Sequence, residues 1–241
     1  MDLGIAGRVA VVAAGSRGLG LATARALAAD GVDLVVAARG EASLAEAAAQ
    51  LRAEGAAVVT EVADMADPAT PDRLVALAGE RFGRLDIVVA NAGGPPPGRA
   101  LDVTDGDLAG AFEANFLASV RLVRAAAPVL RAGGWGRMCC ITSYSVVQPV
   151  PTLALSNTAR TALWAWAKTA AQDLAREGSG ITLNLACPGP HATDRMRELG
   201  GAGVMGDPSD FGKVVAFLCS QPAAFVNGAA VVVDGGATLA L

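Results

Sequence analysis

At 241 residues, 53% hydrophobic and with 29 glycines, the chain has apolar surface enough for one large α/β core covered on both faces. Its net charge of −4 excludes the basic footprint of a nucleic-acid binder. Mean hydropathy is high at +0.43, yet no apolar stretch runs unbroken for the roughly 18 residues of a membrane span, so none is expected.

The chain begins without a basic-then-apolar leader and passes into a strand-like run, so no signal peptide is expected and the reading is cytoplasmic. Short Val/Ile/Leu-rich runs follow at 8–13, 32–38, 57–62, 85–90, 136–142, 181–187 and 229–233. Segments of helical spacing alternate with them, at 19–29, 42–53, 70–82, 105–131, 153–177 and 208–220. Strands alternating with helices predict right-handed βαβ units: an α/β fold with a doubly wound, seven-stranded parallel sheet and helices on both faces. No linker or repeat divides the sequence, so residues 1–241 read as one domain. Two irregular stretches, 93–99 and 188–207, follow strand ends, the side on which open α/β sheets bind ligands. Cys139, Cys140, Cys187 and Cys219 lie in apolar runs without a Cys-x-x-Cys pair, as expected of free thiols in a reducing compartment. With a single histidine in addition, no metal site is expected.

The first strand runs into Ala13-Ala14-Gly15-Ser16-Arg17-Gly18-Leu19-Gly20, and a helix follows. Glycines at such a turn let the backbone approach a pyrophosphate, whose charge is favoured at the helix N-terminus. An NAD site would place a carboxylate after the second strand to accept from the ribose 2′-hydroxyl. Here the run Val36-Ala37-Ala38-Arg39 has none, whereas Arg17 and Arg39 are suited to a 2′-phosphate, so NADP is favoured over NAD.

The loop resembles the Thr-Gly-x-x-x-Gly-x-Gly motif of the short-chain dehydrogenase/reductases, with Ala13 and Ala14 at the Thr-Gly positions. The likeness runs along nearly the whole chain and implies a Rossmann fold. It assigns Asp64, followed by Met65, to the adenine, and matches Asn91-Ala92-Gly93 to the family's Asn-Ala-Gly. It sets Asn115 at the family's helix asparagine and Pro188-Gly189 facing the nicotinamide. Thr193 falls near the carboxamide and phosphates, and Val233-Asp234-Gly235-Gly236 matches the C-terminal strand signature. A homodimer or homotetramer acting on a small molecule is implied.

The catalytic positions depart from that family. Its serine corresponds to Ser143; its tyrosine, thirteen residues on, to Ser156; its lysine, four beyond, to Arg160. The i, i+4 spacing keeps positions 156 and 160 on one helix face. A serine hydroxyl is a far poorer acid than a phenol, and a guanidinium does not relay protons as an amine does. The divergent Ser-Asn-x-x-Arg pattern resembles a branch of the family often given ketoacyl-reductase-like names. What remains is a donor cluster suited to polarising an oxygen, holding a carboxylate or stabilising an enolate. An NADP(H)-dependent oxidoreductase acting on a carbonyl, imine or activated alkene is the leading expectation. A cofactor-holding scaffold with a non-redox role is the alternative.

Two residues are candidates for the missing acid. His191, the only histidine, sits in the loop after Pro188-Gly189 and, as an imidazole, is the better substitute acid of the two. Tyr144, the only tyrosine, adjoins Ser143, is expected to face away from it unless the loop has begun, and reads rather as a packed or rim aromatic. The substrate loop, 190–207, is short and glycine-rich, predicting a mobile lid over an open pocket. Trp164 and Trp166 point different ways on one helix and are expected to pack in a core or subunit interface.

Overall fold

The structure is a computed structural model that describes residues 1–200 and 203–239. Residues 201–202 of the predicted substrate loop and the final two residues therefore lie outside it.

Seven strands form one sheet: β1 (Val9–Ala13), β2 (Asp33–Ala38), β3 (Val58–Val62), β4 (Ile87–Ala90), β5 (Gly136–Ile141), β6 (Ile181–Pro188) and β7 (Ala230–Val233). Their order is β3-β2-β1-β4-β5-β6-β7, and every neighbouring pair is parallel. The order reverses between β1 and β4, which opens a crevice at the strand C-termini.

Two helical layers cover the sheet because successive strand residues face opposite ways. Val9, Val11 and Ala13 join a core with Leu74 of α3 (Thr70–Phe82), Leu122 of α5 (Ala118–Gly133) and Leu163 of α6 (Ala154–Arg176). Ala10 and Val12 join the opposite core with Leu27 of α1 (Gly18–Ala29), Leu44 of α2 (Glu41–Ala53) and Phe211 of α8 (Pro208–Leu218). Trp164 and Trp166 both pack, half-buried, against the first core. The four cysteines are free and buried. Among the described residues no helix is long and apolar enough to cross a membrane.

The expected helix over 105–131 is interrupted. Its first part, α4 (Asp105–Phe112), starts in a capping box: Thr104 Oγ1 accepts from the Asp107 N–H, and Asp107 accepts from the Thr104 N–H. A π-helical turn, Glu113–Leu117, then joins α4 to α5. The extra residue in that turn changes the direction of the side chains there, Asn115 among them.

At the lower, N-terminal end of the strands lies a fully partnered charge cluster. Asp86 accepts from Arg8 Nη1 at 2.8 Å, the Val9 N–H at 3.0 Å, and Arg84 Nε and Nη2 at 2.8 and 2.7 Å. Two guanidiniums stack on the Trp135 ring, Arg8 3.9 Å and Arg137 4.4 Å from its centroid.

Candidate functional site

A cleft of about 1150 Å³ opens at the upper end of the sheet, where the strand order reverses. It has two halves.

The first is built on the β1–α1 turn. The first turn of α1 has no side-chain cap and no acidic residue, so its N–H groups face the cleft unneutralised. Gly18 has φ +57°, a conformation that disfavours other residues. A Cβ on Gly20 would lie 2.3 Å from the Ala14 carbonyl and 2.8 Å from Asn91 Nδ2, so only glycine fits there. Asn91 donates to that same carbonyl at 3.3 Å, tying the end of β4 to the loop. Ala14 itself has φ +47°, a left-handed conformation that costs a β-carbon about 1 kcal/mol. Arg17 and Arg39 line this half, are exposed, and make no ion pair among the described residues. Ser16, Asp64, Met65, Ala92 and Gly93 line it too.

The second half gathers the expected reaction residues. Ser143 follows the end of β5, and its Oγ accepts from the Ser145 N–H at 3.1 Å. Ser156 and Arg160 stand on α6, and Arg160 Nε donates to Ser156 Oγ at 3.2 Å. Arg160 Nη1 donates to the Ile141 carbonyl at 3.1 Å. Arg160 is only 7% exposed, yet among the described residues it has no carboxylate partner and its Nη2 makes no hydrogen bond. Burial pushes its pKa down to about 10, with Arg195 nearby contributing in the same direction, so it stays charged at neutral pH. Asn115 is buried in the cleft wall with neither amide atom hydrogen-bonded to protein.

The β6 side closes the cleft. A Cβ on Gly189 would come within 2.4 Å of Asp234 Cβ, so the backbone approach there requires glycine. Thr193 Oγ1 accepts from the Met196 N–H at 3.3 Å and caps α7 (Asp194–Glu198). Its methyl is 3.7 Å from a Cβ built on Gly18, so the threonine adjoins the glycine loop. His191 is 5% exposed; its ring packs on Phe211 at 5.3 Å and against Gly206. Its Nδ1 is 3.0 Å from the Gly189 carbonyl, and since a carbonyl only accepts, that nitrogen carries a hydrogen.

Four features were not foreseen. Tyr144 does not continue the strand: β5 ends at Ile141, and Tyr144–Val146 form a 3₁₀ turn that sets the phenol on the cleft wall beside Ser143. The substrate loop carries the helix α7, and Arg195 on it donates to the Pro95 carbonyl across the cleft at 2.8 Å. A backbone bridge between His191 and Gly206 ties the base of that loop. Asn157 donates to the Val150 carbonyl at 2.9 Å, fixing the segment that leads into α6.

The profile of the family described as "Enoyl-(Acyl carrier protein) reductase" matches residues 13–238. The chain is 32% identical to human "Dehydrogenase/reductase SDR family member 4", an alignment covering 96% of this chain and 88% of that protein. It is 34% identical to an uncharacterized oxidoreductase of Mycobacterium tuberculosis (strain CDC 1551 / Oshkosh), over 96% of this chain and 92% of that one. Among solved structures, L-sorbose reductase from Gluconobacter frateurii, complexed with NADPH and L-sorbose, superposes with a TM-score of 0.92 at 31% identity, covering all of both chains. By sequence profile, by relatives and by fold, the chain belongs to the short-chain dehydrogenase/reductase family.

Proposed function

We propose that this protein is an NADP(H)-dependent oxidoreductase that reduces a carbonyl, an imine or an activated alkene, with conjugated acceptors suiting it best. One observation carries the reading: the second half of the cleft is a cradle of oriented donors. Ser143 and Ser156 each already accept an N–H, which leaves each hydroxyl hydrogen free to donate into the cleft. Arg160 adds a fixed positive charge and a free Nη2. Together they suit an oxygen that gains negative charge, which is where preorganised donors accelerate most. Asn115 adds an unpartnered amide to the same wall.

The first half fits a dinucleotide. The uncapped α1 N-terminus and Ser16, Gly18, Leu19 and Gly20 would hold the pyrophosphate, with Gly15, which is buried against Val36 and does not line the cleft, letting the loop turn beneath them. Arg17 and Arg39 would hold the 2′-phosphate, and Asp64 and Met65 the adenine. Asn91, Ala92 and Gly93 would line the adjoining ribose, while Pro188, Gly189 and Thr193 would meet the nicotinamide end. Bound NADPH supplies the hydride. His191 enters as a positioning residue: its ring, held by Gly189, Phe211 and Gly206, fixes the loop on that side.

The NADPH complex of the sorbose reductase supports the cofactor assignment, and the enoyl-reductase description of the matching family agrees with a conjugated acceptor. A conjugated acceptor becomes an enolate on hydride addition, so it needs oxyanion stabilisation before it needs an acid, and this cleft offers the former. Assembly into a homodimer or homotetramer in the cytoplasm belongs to the same reading.

The test is NADPH fluorescence for binding and absorbance for oxidation, with ketones, imines and enones as acceptors. Binding with turnover of an enone or iminium is expected; binding without turnover of any acceptor would replace the enzyme with a cofactor-holding scaffold. Arg39→Gln should lower the preference for NADPH over NADH by about 10- to 100-fold, as expected for losing one charge-assisted contact.

A further inference from the structure

The cradle can hold an oxyanion, but reduction also needs a proton, and the residues that would normally give one are replaced. Of the groups on the cleft wall, Ser143 and Ser156 are alcohols, too weakly acidic for the task at neutral pH. Arg160 would lose, along with a proton, the charge that holds the oxyanion. The Nδ1 hydrogen of His191 is committed to the Gly189 carbonyl, and the ring is buried. Cys187 is fully buried, its Sγ lies 3.1 Å from Thr142 Oγ1, and burial pushes its thiol up.

Tyr144 stands apart from all of these. Its backbone is pinned in the 3₁₀ turn, where its carbonyl accepts from the Val147 N–H at 3.0 Å and the Gln148 N–H at 3.2 Å. Its side chain is half-buried on the cleft wall next to Ser143. Its hydroxyl makes no hydrogen bond among the described residues and is not one of the buried, unpartnered atoms, so it keeps exposed surface on a residue that lines the cleft. The single tyrosine of the chain is thus a free phenol beside an oxyanion cradle.

We infer that Tyr144 is the proton donor of this active site, supplying from the strand side what the helix side lacks; the inference rests on the reductase reading above. With a conjugated acceptor, hydride addition at one alkene carbon leaves an electron pair on oxygen, held by Ser143, Ser156 and Arg160. The phenol O–H bond then breaks and a C–H bond forms at the α-carbon as the enolate pair returns to carbon. The resulting phenolate recovers its proton from water at the open side of the cleft.

The step run backwards needs no hydride. Full-length protein loaded with NADP⁺ is incubated with cyclohexanone in D₂O, and loss of the α-proton signal is followed by NMR. NADPH oxidation by cyclohex-2-enone is measured separately. The wild type should catalyse the exchange, and Tyr144→Phe should slow it about 10²- to 10⁴-fold while binding NADP⁺ and melting like the wild type. Equal exchange by Tyr144→Phe and wild type overturns the inference, as does a wild type that binds NADP⁺ but gives no exchange. Absence of enone reduction with Tyr144-dependent exchange intact would instead remove the reductase reading and leave the proton donor in place.

Discussion

Two buried arginines cap the two ends of one strand, and they differ in what satisfies them. Arg137, at the lower end of β5, is 2% exposed and donates to the carbonyls of Ser220, Gly136 and Gly180 while stacking on Trp135. Arg160, at the upper end, is 7% exposed and donates to one carbonyl and one hydroxyl, with no ring stacked on it; neither arginine's Nη2 makes a hydrogen bond among the described residues, but only Arg160 lines the cleft. Burial lowers the pKa of both, so each charge costs folding free energy. At the lower end that cost is offset within the protein. At the upper end fewer protein groups offset it, and on the proposed reading an anionic or electron-rich ligand supplies the rest. A buried charge on a cleft wall, with no carboxylate partner among the described residues, is the physical mark of a candidate binding site, and here it distinguishes the upper end of the sheet from the lower.

Substituting each arginine by methionine should invert the effects. Arg160→Met is expected to cut enone-dependent NADPH oxidation about 10²- to 10³-fold. Its urea midpoint should hold or rise, because an apolar group of similar length replaces an unpaired charge. Arg137→Met should strand three carbonyls and lose about 3 kcal/mol in urea unfolding, with activity per folded molecule retained. Matching losses of stability in the two variants would erase the distinction.

The lower end also sets the acid limit. Burial acts to raise the pKa of Asp86, but hydrogen bonds from Arg84, Arg8 and the Val9 N–H outweigh it and hold the carboxyl below its ordinary value of 3.8. A carboxyl depressed in the folded state contributes stability above its unfolded pKa and loses it as pH falls through the folded one. Asp86→Asn should therefore cost about 3 kcal/mol at neutral pH. The cost should shrink below about pH 4, where the wild type surrenders the same contribution. A constant difference between the two proteins from pH 7 to pH 3 would count against this.

The smallest effect is at the glycine loop. Ala14→Gly relieves the left-handed backbone, worth about 1 kcal/mol, against about 0.5 kcal/mol of added unfolded-state freedom. The melting temperature should rise by about 1 °C.

The same contrast explains what the sequence made legible. The strands could be read because residues such as Val9 to Val12 are apolar on both faces, a signature of a doubly covered sheet. The glycine loop could be read because Gly18 and Gly20 answer to local sterics. The cluster at 143, 156 and 160 could be read because its spacing is set by one strand end and one helix face.

What escaped had no local signal. The π turn at Asn115 leaves apolar spacing intact on both sides, so it is invisible to periodicity. Tyr144 faces away only if the strand continues past Ser143; the apolar run suggests a strand to Thr142, but β5 ends at Ile141, and that residue decides on which side the phenol lies. The contact of Arg195 with Pro95 joins positions one hundred residues apart, and the short helix that carries it is too brief to show a pattern.

The most direct measurement is the affinity of the enolate of cyclohexane-1,3-dione, titrated calorimetrically at neutral pH into the protein saturated with NADP⁺. The account predicts that the anion binds the wild type and binds Arg160→Met and Ser156→Ala at least about tenfold more weakly, the loss of one charged or oriented donor. Undiminished affinity in both variants would contradict the oxyanion cradle on which the proposed chemistry rests.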